Sequence, residues 1–214
     1  MNSDDFDRAE LYRDTMQRIA SLVGADEDGV PVPACPGWSV RDVLAHMAGV
    51  AQDWAAGRLA TPPTDAETAA QVARFDGLAV ADIFRLWGKS TDEMLLAGIV
   101  PPLGDVVVHE HDIRQAVGRP GERDSVAVQC ISDQLLKMLA TPVPLRVIVD
   151  GIEYRCGREG DCEISLRTTA FEATRWRTGR RSRSQMAAMD WSGDPAPVLE
   201  HLYLFGPSTA DLRE

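Results

Sequence analysis

Two histidines with a carboxylate four residues upstream open the chemical reading of this chain: Asp42-Val-Leu-Ala-His46 and Asp105-Val-Val-Val-His109. A helix turns about 100° per residue, so positions four apart share a face and each Asp/His pair can point at one place. Two imidazoles and one carboxylate on facing helices would hold a divalent cation with coordination positions left open, and open positions are where metal chemistry on a substrate occurs. The spacing is equally consistent with two ordinary histidines beside carboxylates, because 63 positions of sequence separate them and periodicity says nothing of proximity.

On the second of these stretches, Gly104-Asp-Val-Val-Val-His-Glu-His-Asp-Ile-Arg114, offsets of four and three place Asp105, His109 and Asp112 on one stripe. His111 falls about 200° from His109, so His109 is the better ligand candidate and His111 is expected to face elsewhere. Asp112 is placed to accept a hydrogen bond from a ligand or to balance Arg114. A second group that could bind a substrate is the arginine cluster Arg175, Arg177, Arg180, Arg181 and Arg183, the one basic patch in an acidic chain. Charge runs are ordinarily solvated faces. The functional alternative is that Arg180, in Thr-Gly-Arg, clamps a carboxylate by paired hydrogen bonds. Cys35 invites a nucleophile reading, but with proline beside it and no histidine adjacent in sequence it reads as a small packed residue. His201 reads as structural, and Trp38, Trp54 and Trp87, at helical spacing, as core or cleft wall.

The elements that must position these groups are mostly helical. Phe6, Leu11, Tyr12, Met16, Ile19 and Val23 recur at helical spacing over about 4–23. After a Gly/Pro/Asp-rich connection, Ser39-Val-Arg-Asp42 supplies a near capping box for a helix over 40–57, with Trp38 before the cap. Thr61-Pro-Pro-Thr64 breaks the chain, and Asp65 opens a long helical stretch to about Gly98 in which Gly77 is the place for an interruption. Helices over 104–117 and 124–140 follow, the former stopped by Gly118-Arg-Pro-Gly121. The period then changes from 3.6 to 2. Leu145–Val149 and Ile152–Cys156 around Asp150-Gly151 predict a hairpin, and 163–168 a third strand. Thr169 caps a short helix to Thr178, and 198–205 is a last apolar run. The expected division is a helical domain over 1–141 and a small α+β domain over 144–214.

Composition narrows the function. A chain of 214 residues with 44% hydrophobic content can bury a substantial core, and a net charge of −11 argues against nucleic acid and anionic membrane surfaces as partners. No apolar run approaches the ~20 residues that span a bilayer. The polar, acidic start Met1-Asn-Ser-Asp-Asp does not read as a signal peptide, so the expectation is a soluble cytoplasmic protein, monomer or homodimer, with free thiols. Cys156 and Cys162 flank a turn-like Gly157-Arg-Glu-Gly160 and offer a minor disulfide alternative.

The motifs Cys35-Pro-Gly-Trp-Ser-Val-Arg-Asp-Val-Leu-Ala-His-Met-Ala-Gly49 and His109-Glu-His-Asp-Ile-Arg-Gln-Ala-Val-Gly118 resemble the mycothiol-dependent maleylpyruvate isomerase family, within the wider DinB-like superfamily. Leu166-Arg-Thr-Thr-Ala-Phe-Glu, Thr178-Gly-Arg-Arg-Ser-Arg and Met189-Asp-Trp-Ser-Gly-Asp-Pro195 resemble the second domain of the same family. The resemblance implies a DinB-like four-helix bundle followed by a sterol-carrier-like α+β domain. It also implies a divalent metal, zinc first among them, on His46, Asp105 and His109, with mycothiol as thiol cofactor. Asp105 departs from the pattern, since the family carries the longer glutamate there. The implied activity is metal-activated thiolate addition to an electrophilic small molecule, as an isomerase or an S-transferase. Because maleylpyruvate-type substrates are dicarboxylates, Arg180 would supply the clamp. Two other classes stay open: a metal-binding sensor or sequestering module without catalysis, and a C-terminal domain that takes an apolar ligand.

Overall fold

The chain enters its second helix through a paired cap. Ser39 accepts from the backbone N–H of Asp42, and Asp42 Oδ2 returns the bond to Ser39 N at 2.8 Å, which satisfies donors that a helix start leaves orphaned. In this computed structural model, which describes residues 6–24, 26–59, 62–161 and 163–214, that helix is α2 (Val40–Ala55). Around it stand α1 (Arg8–Leu22), α3 (Asp65–Ala73), α4 (Val80–Leu96) and α5 (Leu103–Ala116). The stretch expected from Asp65 to Gly98 is therefore two helices. The chain turns between them through Gly77, whose φ of 74° lies in the left-handed region that favours glycine.

Packing divides the chain into two compact units, Asp7–Gly121 and a second built on Glu122–Glu214. In the first, α2 packs against α3, α4 and α5, and α1 against α4 and α5. The sequence explains why: Tyr12, Ile19, Leu44, Met47, Ile83, Trp87, Met94, Leu103, Val106 and Ile113 recur at helical spacing and are fully buried. The fully buried Trp87 donates its indole N–H to Tyr12 Oη at 2.9 Å, so the one polar atom of each large ring is satisfied inside the core.

In the second unit, α6 (Val126–Lys137) precedes a four-stranded sheet of β1 (Leu145–Val149), β2 (Ile152–Cys156), β3 (Ile164–Thr168) and β4 (Asp190–Ser192). The spatial order is β2-β1-β3-β4, antiparallel for β1–β2 and β3–β4 and parallel for β1–β3. The hairpin turns on Asp150 and Gly151, both at positive φ (50° and 87°), as a type I′ turn requires. Leu145, Val147 and Val149 alternate inward along β1. Between β3 and β4 lie α7 (Ala170–Arg177) and α8 (Arg183–Ala187), and a 3₁₀ turn occupies Leu199–His201. Helix α8 and strand β4 are too short for a periodic signal. The apolar run over 198–205 forms only that turn, with His201 exposed.

The change from helix to strand falls at 141–144, where the sequence places it, but the change of packing falls earlier, between Gly121 and Glu122. Helix α6 is tied into the second unit. Tyr154 Oη donates to Asp133 Oδ1 at 3.1 Å, Cys156 Sγ contacts the Leu136 carbonyl at 3.7 Å, and Arg177 Nε donates to the Leu135 carbonyl at 3.2 Å. Burial and the Asp133 carboxylate together push the Tyr154 hydroxyl up to about 12, which keeps it a donor. Cys130 and Cys156 are buried and outside any disulfide, and Cys162 lies outside the described residues. No described helix is long and apolar enough to cross a membrane.

Candidate metal centre

Helices α2 and α5 bring His46, Asp105 and His109 together inside the first unit. One ligand atom from each lies within 4.8 Å of the other two. The imidazole rings sit 5.2 Å apart at 82°, with His46 Nε2 3.4 Å and His109 Nε2 3.7 Å from Asp105 Oδ1. An N–H···O hydrogen bond peaks near ~2.9 Å, whereas two ligands of one tetrahedral ion with bonds of ~2.0 Å stand about 3.3 Å apart. The spacing fits ligands of a common ion better than it fits a hydrogen-bonded pair. Both rings are buried, whereas a fifth of the Asp105 side chain reaches solvent although its Oδ2 is buried. Three donors of N, N and O type suit zinc and related divalent cations and leave room for further ligands.

The surrounding side chains fix the two rings. His109 Nδ1 lies 2.9 Å from Asp112 Oδ2, whose residue is fully buried, so that carboxylate orients the imidazole with Nε2 towards Asp105. Trp38 lies against His46 with ring centroids 5.2 Å apart, which makes it a wall of the cluster. Behind the cluster, burial pushes the Tyr12 hydroxyl up, and the Asp105 charge adds to the effect, so this phenol stays neutral. Glu110, one residue from His109 in sequence, faces another way. It accepts from Arg18 Nε at 2.9 Å and Nη2 at 2.8 Å, and from Arg114 Nη2 at 2.9 Å, as a buried clamp between α1 and α5.

The structure corrects two expectations. Asp42 does not join His46, because at the third position of α2 its carboxylate is turned back onto Ser39. The arginine cluster is not one solvated face. Arg175 is fully buried and pairs with Glu214; Arg181 pairs with Glu172 at 2.7 Å and Glu214 at 2.9 Å; Arg177 donates to the Leu202 carbonyl at 2.6 Å. Only Arg183 fits the solvated reading, in an exposed pair with Glu200. Arg180, half-buried in the second unit, donates from Nη1 to the Thr178 carbonyl at 2.6 Å. His111 is buried and belongs to neither of the two converging metal-donor groups found among the described residues.

Cys35 is the residue that sequence reasoning undervalued. Its Sγ lies 3.6 Å from Asp112 Oδ2 and 3.9 Å from His109 Nδ1, across 77 and 74 positions of sequence. It sits in a tight loop closed by Cys35 N to Val32 O and Trp38 N to Cys35 O, each 3.0 Å, directly before the capping box of α2. No local signal marks that contact. Only the joint appearance of the two motifs in one chain hints at it.

Comparisons with known proteins bear on the helical segment that carries His46 and on the fold. Residues 9–100 match the family model described as the mycothiol maleylpyruvate isomerase N-terminal domain, a segment that includes His46 and ends just before α5. The crystal structure of the mycothiol-dependent maleylpyruvate isomerase is similar with a TM-score of 0.53 at 14% identity, covering 84% of this chain and 92% of that one. The crystal structure of a histidine-to-alanine mutant of that isomerase gives the same values. At such identity the likeness speaks for the fold, here helices with one small sheet. No curated protein sequence matches the chain.

Proposed function

We propose that this chain, whose residues 9–100 match the mycothiol maleylpyruvate isomerase N-terminal domain model, is a divalent-metal-dependent and thiol-dependent enzyme of the maleylpyruvate isomerase type. It would act as an isomerase or an S-transferase on an electrophilic small molecule, with mycothiol as the thiol. The observation that carries this reading is the convergence of His46, Asp105 and His109 on one point with Asp112 behind His109. His46 and His109 would hold the ion, zinc first among candidates, through their Nε2 atoms, and Asp105 through its carboxylate. A divalent ion bound there lowers the pKa of a coordinated water or thiol to near neutrality.

The chain's own residues supply the rest. Asp112 keeps the proton of His109 on Nδ1 and so keeps Nε2 available as a lone pair. Trp38 and the buried faces of α2 and α5 exclude bulk water from one side of the cluster, which strengthens electrostatic interactions there. Arg180 is proposed as the carboxylate clamp, on the planar, permanently charged chemistry of its guanidinium. In the same reading, the unit over Asp7–Gly121 is a DinB-like bundle, the second unit carries a sterol-carrier-like α+β domain, and the protein works in the cytoplasm.

The test is metal analysis of the purified protein and of His46→Ala, followed by turnover with mycothiol and a panel of carboxylated and neutral electrophiles. Metal retained by the wild type, lost in His46→Ala, and accompanied by thiol-dependent turnover is the expected result. Stoichiometric metal without turnover of any electrophile would leave a metal-binding sensor or sequestering protein. A wild type that binds no divalent ion would overturn the reading.

A further inference from the structure

The two ring nitrogens of His109 face two different donor sets. Nε2 is turned to Asp105 and His46, while Nδ1 is turned to Asp112 Oδ2 at 2.9 Å and Cys35 Sγ at 3.9 Å, and those two atoms are 3.6 Å apart. We propose that Cys35, His109 Nδ1 and Asp112 form a second cation locus, selective for thiophilic divalent ions, whose occupancy excludes an ion from the His46, Asp105 and His109 Nε2 set. It stands on geometry alone and does not depend on the enzymatic reading.

The donor chemistry is that of a soft site. A thiolate, an imidazole and a carboxylate suit zinc and, still better, cadmium, because the polarisable sulfur favours the softer ion. The spacing is close to what such an ion needs. Bonds of ~2.3 Å to sulfur and ~2.0 Å to nitrogen place the two donors about 3.5 Å apart around a tetrahedral centre. The observed separations from sulfur, 3.6 Å and 3.9 Å, lie just above that, and only the 2.9 Å between His109 and Asp112 must widen by a few tenths of an ångström. Asp112 and His109 are buried and held on consecutive turns of α5, whereas Cys35 is part-exposed on its loop, which gives an ion a route in.

Exclusion follows from the imidazole itself. A neutral ring has one lone pair and one N–H, so it offers one nitrogen to a metal at a time. With an ion on Nε2, the ring proton sits on Nδ1 and is donated to Asp112. With an ion on Nδ1, that proton moves to Nε2, where it faces the Asp105 carboxylate 3.7 Å away. Cys35 Sγ gives up its proton to solvent, and bonds form from the ion to sulfur, nitrogen and oxygen. One proton is released per ion bound.

The test titrates the metal-free full chain with cadmium, following the ultraviolet thiolate-to-cadmium charge-transfer band, in the wild type, Cys35→Ser, Cys35→Ala, Cys162→Ser and His46→Ala. One equivalent per chain with the band present is expected, and the band should vanish in both Cys35 variants with affinity lowered at least about tenfold. Cys162→Ser and His46→Ala should keep it. Because His46→Ala removes only the first donor set, lost zinc and activity there with an intact cadmium band separates failure of one reading from failure of the other. The ¹¹³Cd chemical shift of the wild type reports sulfur ligation directly, without any variant. A band that survives Cys35→Ser, or a shift showing only nitrogen and oxygen ligands, overturns the locus. Two cadmium ions held at once by one chain overturn the exclusion.

Discussion

Asp112 Oδ2 lies 2.9 Å from His109 Nδ1 on the same helix, three residues on, and this relationship decides which nitrogen of His109 looks into the candidate metal centre. A carboxylate that accepts the ring proton fixes the tautomer and raises the basicity of the opposite nitrogen. Asp112→Ala is therefore expected to weaken divalent-ion affinity about 10- to 100-fold. Competition with a chelating indicator reads it, with circular dichroism to confirm that α5 remains. An unchanged affinity would mean that packing alone orients the ring.

Asp105 stands where the family resemblance calls for the longer glutamate, yet its Oδ1 already lies 3.4 Å and 3.7 Å from the two histidine nitrogens. If the proposed centre binds an ion, this approach of α2 to α5 brings the shorter side chain within ligand reach. Asp105→Glu should consequently bind zinc no more tightly than the wild type, and Asp105→Ala should lose at least about tenfold. Tighter binding by Asp105→Glu, seen by calorimetry, would show that the shorter carboxylate is a compromise.

The parts of this molecule legible in the sequence are those set by local period. The helix-bearing stretches with His46 and His109, the Ser39 cap and the Asp150-Gly151 hairpin each depend on residues within a few positions of one another. Convergence of His46 with His109 follows from the helical stripes once α2 and α5 pack together, but that they pack is a fact about the whole chain. Contacts between distant segments left no such trace: Cys35 with Asp112, Arg175 with Glu214, and the parallel pairing of β1 with β3. The arginine cluster shows the same limit. Its composition reads as a solvated face, and only the fold reveals that Glu172 and Glu214 take up Arg175 and Arg181 inside.

Glu110 sits between Arg18 and Arg114 with 1% of its side chain exposed, joining α1 to α5 beside the metal-ligand stripe. Removing the central carboxylate leaves two guanidiniums near one another without their counter-charge. Glu110→Ala should cost about 3 kcal/mol, the low end for breaking a buried pair, since Arg18 can turn towards solvent. Urea denaturation checks this, and a loss below about 0.5 kcal/mol would place the pair among ordinary surface bridges.

Asp53 carries an acid-side signature. Burial alone pushes its carboxyl up, but hydrogen bonds from Gln71, Arg58 and Arg74 outweigh that and leave it below the usual range. A depressed carboxylate contributes stability that is fully present above the unfolded value, near ~3.9, and is lost as the pH falls through the lower folded value. Asp53→Asn should therefore be less stable than the wild type at neutral pH, with the gap closing below about pH 3.9. Parallel denaturation curves from pH 7 to pH 3 read this, and a gap independent of pH would assign the loss to packing instead.

Two helical glycines should respond in opposite directions to the same substitution. A Cβ on Gly49 of α2 would come within 2.6 Å of Gln71 Cβ and 3.1 Å of its Cα, which is backbone and cannot swing aside, so α3 must move away. A Cβ on Gly88 of α4 meets nothing within 4 Å. Alanine at Gly88 should raise stability by about 0.5–1 kcal/mol by restricting the unfolded chain and favouring helix. Alanine at Gly49 gains the same propensity but loses more to overpacking, for a net cost of about 1 kcal/mol or more. Gln71 also donates to Asp53 Oδ2 at 3.0 Å, so displacing α3 loosens that network as well. Thermal melts of the two variants decide it: equal shifts of the same sign would show that α3 yields freely and that the close approach of α2 and α3 is not a constraint on the fold.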